Sequence, residues 1–221
     1  MDLQKHLEFF DPLNDINAPI HVIGCGAIGS TILELFARLG VPEVHIYDFD
    51  TVTTYNVTNQ MFLFHQVGMP KEKAIIEILN SINPDMKIIP HGKYVNQPLS
   101  GYIFLAVDNI DLRREILTRN KFNPYIKAVF DFRMRLTDAQ HYAADWNNPA
   151  MRDALLDTMQ FTHEEAKAAT PVSACGTTLS VAPTIRTIVS LGITNFMNFL
   201  KEGKIKKMIL MDTFHYILDV F

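Results

Sequence analysis

The residues whose types and spacing suggest chemistry are glycines and acids in the first half of the chain. Gly24, Gly26 and Gly29 form a Gly-x-Gly-x-x-Gly run, which lets the backbone approach a phosphate group at a helix N-terminus. Asp48 and Asp50 follow about twenty residues later, where an acid can bind ribose hydroxyls. The combination predicts a nucleotide-binding site. A tight strand–helix turn is the alternative interpretation of the glycines.

Two further positions carry polar residues that suit a bound phosphate. Lys71 lies in the first turn of a predicted helix, where the dipole favours anions. The lysine there indicates either a bound phosphate or a solvated surface charge. Asp108 and Asn109 follow a continuous apolar run, at the end of a strand where open α/β sheets place their ligands. Asp108 suits a Mg²⁺ ligand, a helix cap, or both.

The chain has two cysteines, Cys25 and Cys175, and no Cys-x-x-Cys pair. A four-cysteine zinc site is therefore excluded within this sequence. We interpret Cys25 as a small packing residue. Cys175 has two open interpretations, a thiol nucleophile activated at a helix N-terminus or a buried free cysteine.

The elements that position these residues begin with a strand–helix–strand unit. An apolar strand from Pro19 enters the glycine loop, a helix follows and ends at Gly40, and a second strand over 44–50 carries the two acids. Residues 1–18 are interpreted as a short helix or arm, and 51–60 as a loop. The later predicted elements are a helix from Pro70 to Ile82, strands 86–90 and 101–107, a helix over 109–121, strands 125–130 and 139–144 (the latter antiparallel), a helix over 149–159, a polar crossover over 161–174, a helix from Cys175 to about Leu200, and a closing strand over 208–221.

This pattern predicts an α/β fold, a Rossmann-like and mainly parallel sheet flanked by helices, with an antiparallel C-terminal extension. In a chain of 221 residues, 48% hydrophobic and 20% charged, the composition favours a globular protein. The net charge of −4 gives no basic field, which argues against nucleic acid as a partner. Because we find neither a leader peptide nor a long uninterrupted apolar run, we expect a cytoplasmic protein without a membrane segment.

Together the motifs resemble the ThiF/MoeB/HesA superfamily, which has the fold of ubiquitin-activating enzymes. The matching motifs are Gly24-x-Gly26-x-x-Gly29, Asp48-x-Asp50-x-Val52 with Asn56 and Gln60, Gly68-x-Pro70-Lys71, and Asp108-Asn109-x-x-x-Arg113. The resemblance is strong over residues 19–130. The later part is similar, more faintly, to a ThiF-like branch of phages and mobile elements, through Asp131-Phe132-Arg133-Met134, Tyr142 and Cys175.

The resemblance implies an adenylyltransferase that uses ATP and Mg²⁺. Its partner would be a small ubiquitin-like or sulfur-carrier protein, or a peptide, whose C-terminal carboxylate is adenylated with release of pyrophosphate. The whole chain, residues 1–221, would form one homodimeric adenylation domain, with an arm (1–18), a nucleotide-binding half (19–130) and a carrier-binding and dimerisation half (131–221).

Each site residue receives a role from the same resemblance. The glycine loop would line the nucleotide, Asp48 would bind the ribose, and Asp50 would buttress the loop or assist the metal. Asn56 and Lys71 would act on the phosphates, and Asp108 would hold Mg²⁺. The remaining residues implied are Ala27, Ile28 and Asn59 beside the nucleotide, Asn109 and Arg113 on the adenine side, and Cys175 as the thiol that accepts an acyl group.

One position departs from the family pattern. Where the family has arginine in Asn-x-x-Arg-Gln, this chain has Asn59, and its first arginine is Arg38, beyond any N-terminal arm. Substitute cations considered from the sequence are Lys5, Arg133 and Arg135. Two other functions stay open: a catalytically weak nucleotide-binding partner subunit, and an NAD-dependent oxidoreductase, for which we find no acid/base pair suited to hydride transfer.

Overall fold

One mixed sheet forms the centre of the molecule in a computed structural model that describes residues 1–174 and 178–221. The strands in these residues are β1 Ile20–Ile23, β2 Glu43–Tyr47, β3 Lys87–Pro90, β4 Gly101–Leu105, β5 Ile126–Met134, β6 Asp138–Asp145, β7 Met208–Asp212 and β8 Ile217–Val220. The α-helices are α1 Pro12–Asp15, α2 Ala27–Leu39, α3 Lys71–Ile82, α4 Ile110–Arg119, α5 Pro149–Asp157, α6 His163–Ala168 and α7 Ala182–Glu202.

The sheet order is β3-β2-β1-β4-β5-β6-β7-β8. The first five strands are parallel to one another, and each of the last three is antiparallel to its predecessor. This arrangement confirms the predicted α/β fold with an antiparallel C-terminal extension. Because the parallel strands end at one edge, the loops that follow β1, β2 and β4 lie side by side there.

Two apolar clusters attach the helices to opposite faces of this sheet. One face packs under α2, α3 and α7, around Phe36, Phe104 and Phe196. The other face packs under α4 and α5, around Leu105 and Trp146. The strands β1 and β4 are buried along their whole length, as expected for central strands covered on both faces.

Several predicted boundaries need correction. The long C-terminal helix begins at Ala182 and not at Cys175, and Pro183 in its first turn marks that start. The crossover segment contains α6, which a Thr162–Glu165 capping box stabilises. The predicted closing strand is a hairpin of β7 and β8, because the Asp212 side chain accepts hydrogen bonds from two backbone amides of the turn.

Two predicted helix starts are also corrected. Asn109, not Asp108, caps α4, because its side-chain oxygen accepts the backbone N–H of Leu112. Pro70 is the N-cap of α3 and lies just outside its first turn. Residues Thr54–Thr58, predicted as loop, form a short 3₁₀ helix.

Buried histidines on the sheet make the stability of the fold dependent on pH. Burial lowers the pKa of His21 from 6.5 to about 3, with a smaller effect from His45 and His91 nearby. Burial also lowers the pKa of His141 to about 4, although Asp131 acts in the opposite direction. The ring of His21 stacks on the ring of His45, and its Nδ1 forms a hydrogen bond with Tyr47 Oη at 3.0 Å.

We therefore expect the free energy of unfolding to fall as the pH falls from about 6.5 towards about 4. In that range the unfolded chain protonates these histidines and the folded chain does not, so each contributes a slope of about 1.4 kcal/mol per pH unit. Urea unfolding at several pH values measures the slope. His21→Asn should reduce the slope by the contribution of one histidine, about 1.4 kcal/mol per pH unit. His65→Asn, at an exposed position, should leave the slope unchanged. Parallel curves for wild type and His21→Asn would contradict the assignment.

Candidate functional site

The glycine loop lies directly against the end of β4. Gly24 has φ +98°, and a Cβ there would come within 2.8 Å of the Ala106 carbonyl carbon. A Cβ on Gly29 would lie 1.8 Å from the Gly24 carbonyl oxygen. A Cβ on Gly26 would have no atom within 4 Å. The loop therefore packs against the protein backbone at Gly24 and Gly29, whereas the space beside Gly26 is empty. The open side lies before the first turn of α2, and Gly26, the N-cap residue, has no side chain that could cap the backbone N–H groups.

Asp48, which follows β2, holds the glycine loop in place. Its Oδ2 accepts the backbone N–H of Cys25 at 2.7 Å, and its Oδ1 accepts the backbone N–H of Asp50 at 2.8 Å. The carboxylate is half-buried. Asp48 and the glycine loop are therefore in direct contact, and their shared role in binding a nucleotide stays a prediction.

Glu72 stabilises the same region, and the sequence analysis missed it. Its Oε1 accepts the backbone N–H groups of Asp48, His91 and Gly92, at 3.3, 3.2 and 2.9 Å. One carboxylate thus joins the loops that follow β2 and β3. The available signal was an acid in the first turn of α3, which is a common position for a carboxylate and indicates no such partners by itself.

Lys71 forms an ion pair with Asp50 across 2.9 Å. The lysine side chain is 9% exposed, whereas the Asp50 side chain is 53% exposed. The contact brings the two predicted residues together and leaves the pair open to solvent on the Asp50 side. Asp50 thereby contacts the Lys71 ammonium group, and its two predicted roles, buttressing the loop and assisting a metal, both stay predictions.

Asp108 lies beside the glycine loop. Ile23 of β1 pairs with Leu105 of β4, and Gly26 and Asp108 each lie three residues beyond that pair, in the loops that follow these neighbouring strands. Asp108 is exposed, and its carboxylate has no hydrogen-bond partner among the residues that the structure describes. A carboxylate in this setting is available to a cation.

The loop residues implied by the resemblance form a group next to α2. Asn56 Oδ1 accepts the backbone N–H of Thr53 and so stabilises the 3₁₀ helix. Asn59 donates from Nδ2 to the Ser180 hydroxyl, just before α7. Asn59 Oδ1 and Gln60 Oε1 are buried atoms without a hydrogen-bond partner in the described structure. Unpaired buried acceptors cost free energy, which makes this loop a candidate ligand contact.

Arg113 lies in the core and not beside the open face of the glycine loop. It is 5% exposed and donates to Asp131 Oδ1 at 2.5 Å, to the Phe132 carbonyl at 2.6 Å and to the Val107 carbonyl at 2.7 Å. These contacts occupy the guanidinium that was predicted to lie on the adenine side of the nucleotide. Arg113 instead ties the turn that carries Asp108 to β5. The Asn109 side chain is similarly occupied, as the cap of α4.

The two substitute arginines considered from the sequence are already paired. Arg133 contacts Asp131 Oδ2 at 2.6 Å and the Thr158 carbonyl at 2.8 Å. Arg135 contacts Asp138 at 2.9 Å. Neither guanidinium is free to bind a phosphate without breaking an ion pair.

The two cysteines have different outcomes. Cys25 is fully buried, and burial raises the pKa of its thiol well above the ordinary value, in agreement with a packing role. Cys175 lies outside the described residues, so its proposed acyl-accepting role stays a prediction.

The acids of the site suit a magnesium ion bound together with phosphate. Within residues 1–174 and 178–221, no group of three or more His, Cys, Asp or Glu side chains converges to form a metal site. Mg²⁺ often binds through one or two carboxylates, with substrate phosphates and water completing its shell. The exposed Asp108 carboxylate fits that mode of binding.

No helix in the described part of the chain is both long and apolar enough to span a bilayer. The longest of these helices, α7, has 21 residues and is not apolar enough. Asn195 on that helix is buried and binds the Lys206 backbone, which is typical of a helix packed within a folded protein.

One family model matches most of the chain, and several curated proteins match parts of it. The chain matches the model described as "ThiF family" over residues 16–217. It is 38% identical over 69 residues to ubiquitin-like modifier-activating enzyme 5 of Oryza sativa subsp. japonica, covering 31% of this chain and 16% of that protein. The Caenorhabditis elegans enzyme 5 is 26% identical over 122 residues, covering 53% and 27%. The matches thus span less than a third of those relatives.

Solved structures share the fold at low sequence identity. E. coli MccB with ATP superposes with a TM-score of 0.72 at 15% identity, covering 95% of this chain and 65% of that one. The microcin C7 biosynthetic enzyme MccB in complex with N-formylated MccA gives a TM-score of 0.68 at 15% identity, covering 95% and 66%. At this identity the likeness establishes the fold alone.

Proposed function

The chain belongs to the ThiF family, and from that premise we propose that it adenylates the C-terminal carboxylate of a peptide or small ubiquitin-like or sulfur-carrier protein. ATP with Mg²⁺ would be the co-substrate. The observation that carries the proposal is the meeting of four features at one sheet edge: the glycine loop, Asp48, the Lys71–Asp50 pair and the exposed Asp108.

The proposed chemistry matches the arrangement of charges at this edge. A carboxylate oxygen of the partner forms a bond to the α-phosphorus, the bond from that phosphorus to the bridging oxygen breaks, and pyrophosphate leaves with the electron pair. Both reactants are anionic, so the site must neutralise phosphate charge and hold the groups in line. Mg²⁺, when bound, supplies positive charge to the phosphate oxygens.

Named residues take the remaining roles in this proposal. Backbone N–H groups at the start of α2 contact the phosphates, as at other helix N-termini. Asp48 accepts ribose hydroxyls, Lys71 donates to phosphate oxygens, and Asp108 binds Mg²⁺. Asn56 and Asn59 belong to the loop beside them. Cys175 is retained as a prediction for an acyl-accepting thiol.

The relatives narrow the class of partner. The microcin C7 biosynthetic enzyme MccB is in complex with N-formylated MccA in one structure, and the Caenorhabditis elegans relative is named a ubiquitin-like modifier-activating enzyme. We therefore place peptides and ubiquitin-like proteins first among candidates, bound mainly by residues 131–221. A homodimer is part of the proposal, because the edge strand β8 exposes apolar side chains such as Leu218.

Pyrophosphate–ATP exchange tests the function directly. The purified chain is incubated with Mg²⁺, labelled pyrophosphate and candidate proteins or peptides that end in glycine or are encoded nearby. Incorporation of label into ATP that depends on the free C-terminal carboxylate is the expected result. An amidated C-terminus is the matched control and should give none.

Asn59, at the position where the family has arginine, favours a second function, that of a catalytically weak nucleotide-binding partner subunit. If the chain binds ATP with Mg²⁺ but no candidate supports exchange, it acts as a catalytically weak partner subunit. An NADH absorbance assay addresses the remaining alternative, an oxidoreductase. A change in absorbance without exchange would overturn the proposed function.

Replacing Lys71 should weaken binding of the phosphates. We expect Lys71→Ala to lower ATP affinity about 10- to 100-fold, because one charge-assisted contact to phosphate is lost. Isothermal titration calorimetry with ATP measures the change. Lys73→Ala, at an exposed position on the same helix, is the matched control and should bind ATP normally. Equal affinities for the two variants would remove Lys71 from the site.

A further inference from the structure

Arg186, near the start of α7, lies next to α2, the helix that begins at the glycine loop. Its Nη1 donates to the Thr31 hydroxyl, and that hydroxyl donates to the Ala27 carbonyl in the first turn of α2 at 2.9 Å. Thr31 and Ala27 are separated by one helical turn. The Thr31 hydroxyl therefore joins the guanidinium to the first turn of α2, the turn that directly follows the glycine loop.

The other elements around Arg186 end at the same sheet edge. Thr184 lies two residues before Arg186. Its hydroxyl donates to the Leu136 carbonyl, just after β5, and shares a hydrogen bond with the Thr213 hydroxyl, just after β7. Ser180 binds Asn59, and Ser30 on α2 accepts the backbone N–H of Met61. The start of α7 is thus fixed beside the Asn56–Gln60 loop and the glycine loop.

Arg186 differs from the other arginines in what it binds. Six of the eight arginines pair with a carboxylate in the described structure: Arg38, Arg113, Arg114, Arg119, Arg133 and Arg135. Arg152 donates to the Trp146 carbonyl and stacks on Phe122. Among the described residues, Arg186 has only a neutral hydroxyl as its partner. No carboxylate in residues 1–174 and 178–221 pairs with its guanidinium, and the residue is partly exposed.

We propose that Arg186 binds the phosphate chain of the nucleotide and supplies the positive charge that Asn59 does not. The inference rests on the proposed function. A guanidinium next to a helix N-terminus adds charge to a site that already favours anions, and a phosphate is a stronger partner for it than the Thr31 hydroxyl. The long side chain exchanges one partner for the other without movement of the backbone.

The position also explains how the chain functions without an arginine in the 56–60 loop. Asn59 contacts Ser180 on the segment that leads into α7, so the loop and the helix form one wall of the site. The cation comes from α7 instead of from the loop. Arg133 and Arg135 do not serve this purpose, because each pairs with an acid.

Calorimetric binding of ATP and of adenosine to the full chain, with Mg²⁺ present, tests the proposal. We expect Arg186→Gln to lower ATP affinity about 10- to 100-fold and to leave adenosine affinity unchanged, because the arginine contacts only phosphate. Arg186→Lys should recover part of the loss. Adding Asn59→Arg to Arg186→Gln should restore ATP binding, since it returns a cation to the family position.

Two control variants separate binding from structure. Arg152→Gln removes the other arginine that lacks an acid partner, on the opposite face of the sheet, and should bind ATP normally. Thr31→Val removes the present partner of Arg186 and should not weaken ATP binding. Melting temperatures of all variants are compared with wild type.

The outcomes distinguish this inference from the proposed function. Wild-type affinity for ATP in Arg186→Gln overturns the role of Arg186 and leaves the function standing. An equal loss of ATP and adenosine binding, with a lowered melting temperature, assigns Arg186 a structural role and also overturns the inference. Failure of the wild-type chain to bind ATP overturns the proposed function, and the inference with it.

Discussion

Asp108→Asn is expected to lower the rate of pyrophosphate–ATP exchange by at least about 100-fold. Asparagine keeps the shape of the side chain and removes the negative charge that would bind Mg²⁺. Because Asp108 is exposed and its carboxylate has no hydrogen-bond partner in the described structure, the fold should not depend on it. The melting temperature should therefore stay within a degree or two of wild type, as for most surface substitutions.

The Mg²⁺ dependence makes this prediction specific. Titration of Mg²⁺ at fixed ATP should show a higher half-saturating concentration for Asp108→Asn than for wild type. The control is Glu115→Gln, an exposed acid on α4 that pairs with Arg119 and should behave as wild type. Full exchange activity and an unchanged Mg²⁺ titration in Asp108→Asn would remove this residue from the metal role.

Asp131→Asn is expected to destabilise the fold by about 3–5 kcal/mol. Burial by itself would raise the pKa of Asp131, but Arg113 and Arg133 hold it below its ordinary value, so the carboxylate is ionised. It is fully buried, and its two oxygens lie 2.5 and 2.6 Å from the two guanidinium groups. Loss of the charge leaves Arg113 buried without its counter-ion.

Urea unfolding at neutral pH measures this cost. Asp138→Asn is the matched control, because it breaks an aspartate–arginine pair whose side chains are 34% and 50% exposed. An exposed pair contributes about 0–1 kcal/mol, so the control should unfold close to wild type. Similar midpoints for the two variants would show that the buried pairs add no more than the exposed one. Since Arg113 also holds the turn before Asp108, we expect Asp131→Asn to reduce ATP binding as well.

The parts of the site that could be predicted are those encoded by short patterns. The glycine spacing, the acids after the second strand and Lys71 after Pro70 lie within 50 residues of one another. Local backbone rules fix what such patterns form: glycines permit a tight turn, and apolar runs form central strands. Parallel strands then bring the residues at their ends together, which placed Asp108 beside the glycine loop.

The misassigned boundaries have local physical reasons. Pro183 signals the start of α7, but the apolar content of the preceding residues suggested a longer helix. The β7–β8 turn contains no glycine or proline between Thr213 and Tyr216, so its two strands resembled one. Pro183 decides the start of α7, and the Asp212 side chain stabilises the β7–β8 turn. The overall hydrophobic pattern shows neither boundary.

The sequence by itself determined the fold class, the family and the residues at the edge of the sheet, because each depends on short-range periodicity or motif spacing. Only the tertiary structure decided what individual side chains bind. It buried Arg113 against Asp131, gave Glu72 three backbone partners, and placed Arg186 against Thr31, 155 residues away in the chain. Such contacts follow from how helices and strands pack on the sheet, and no local pattern in the chain encodes that packing.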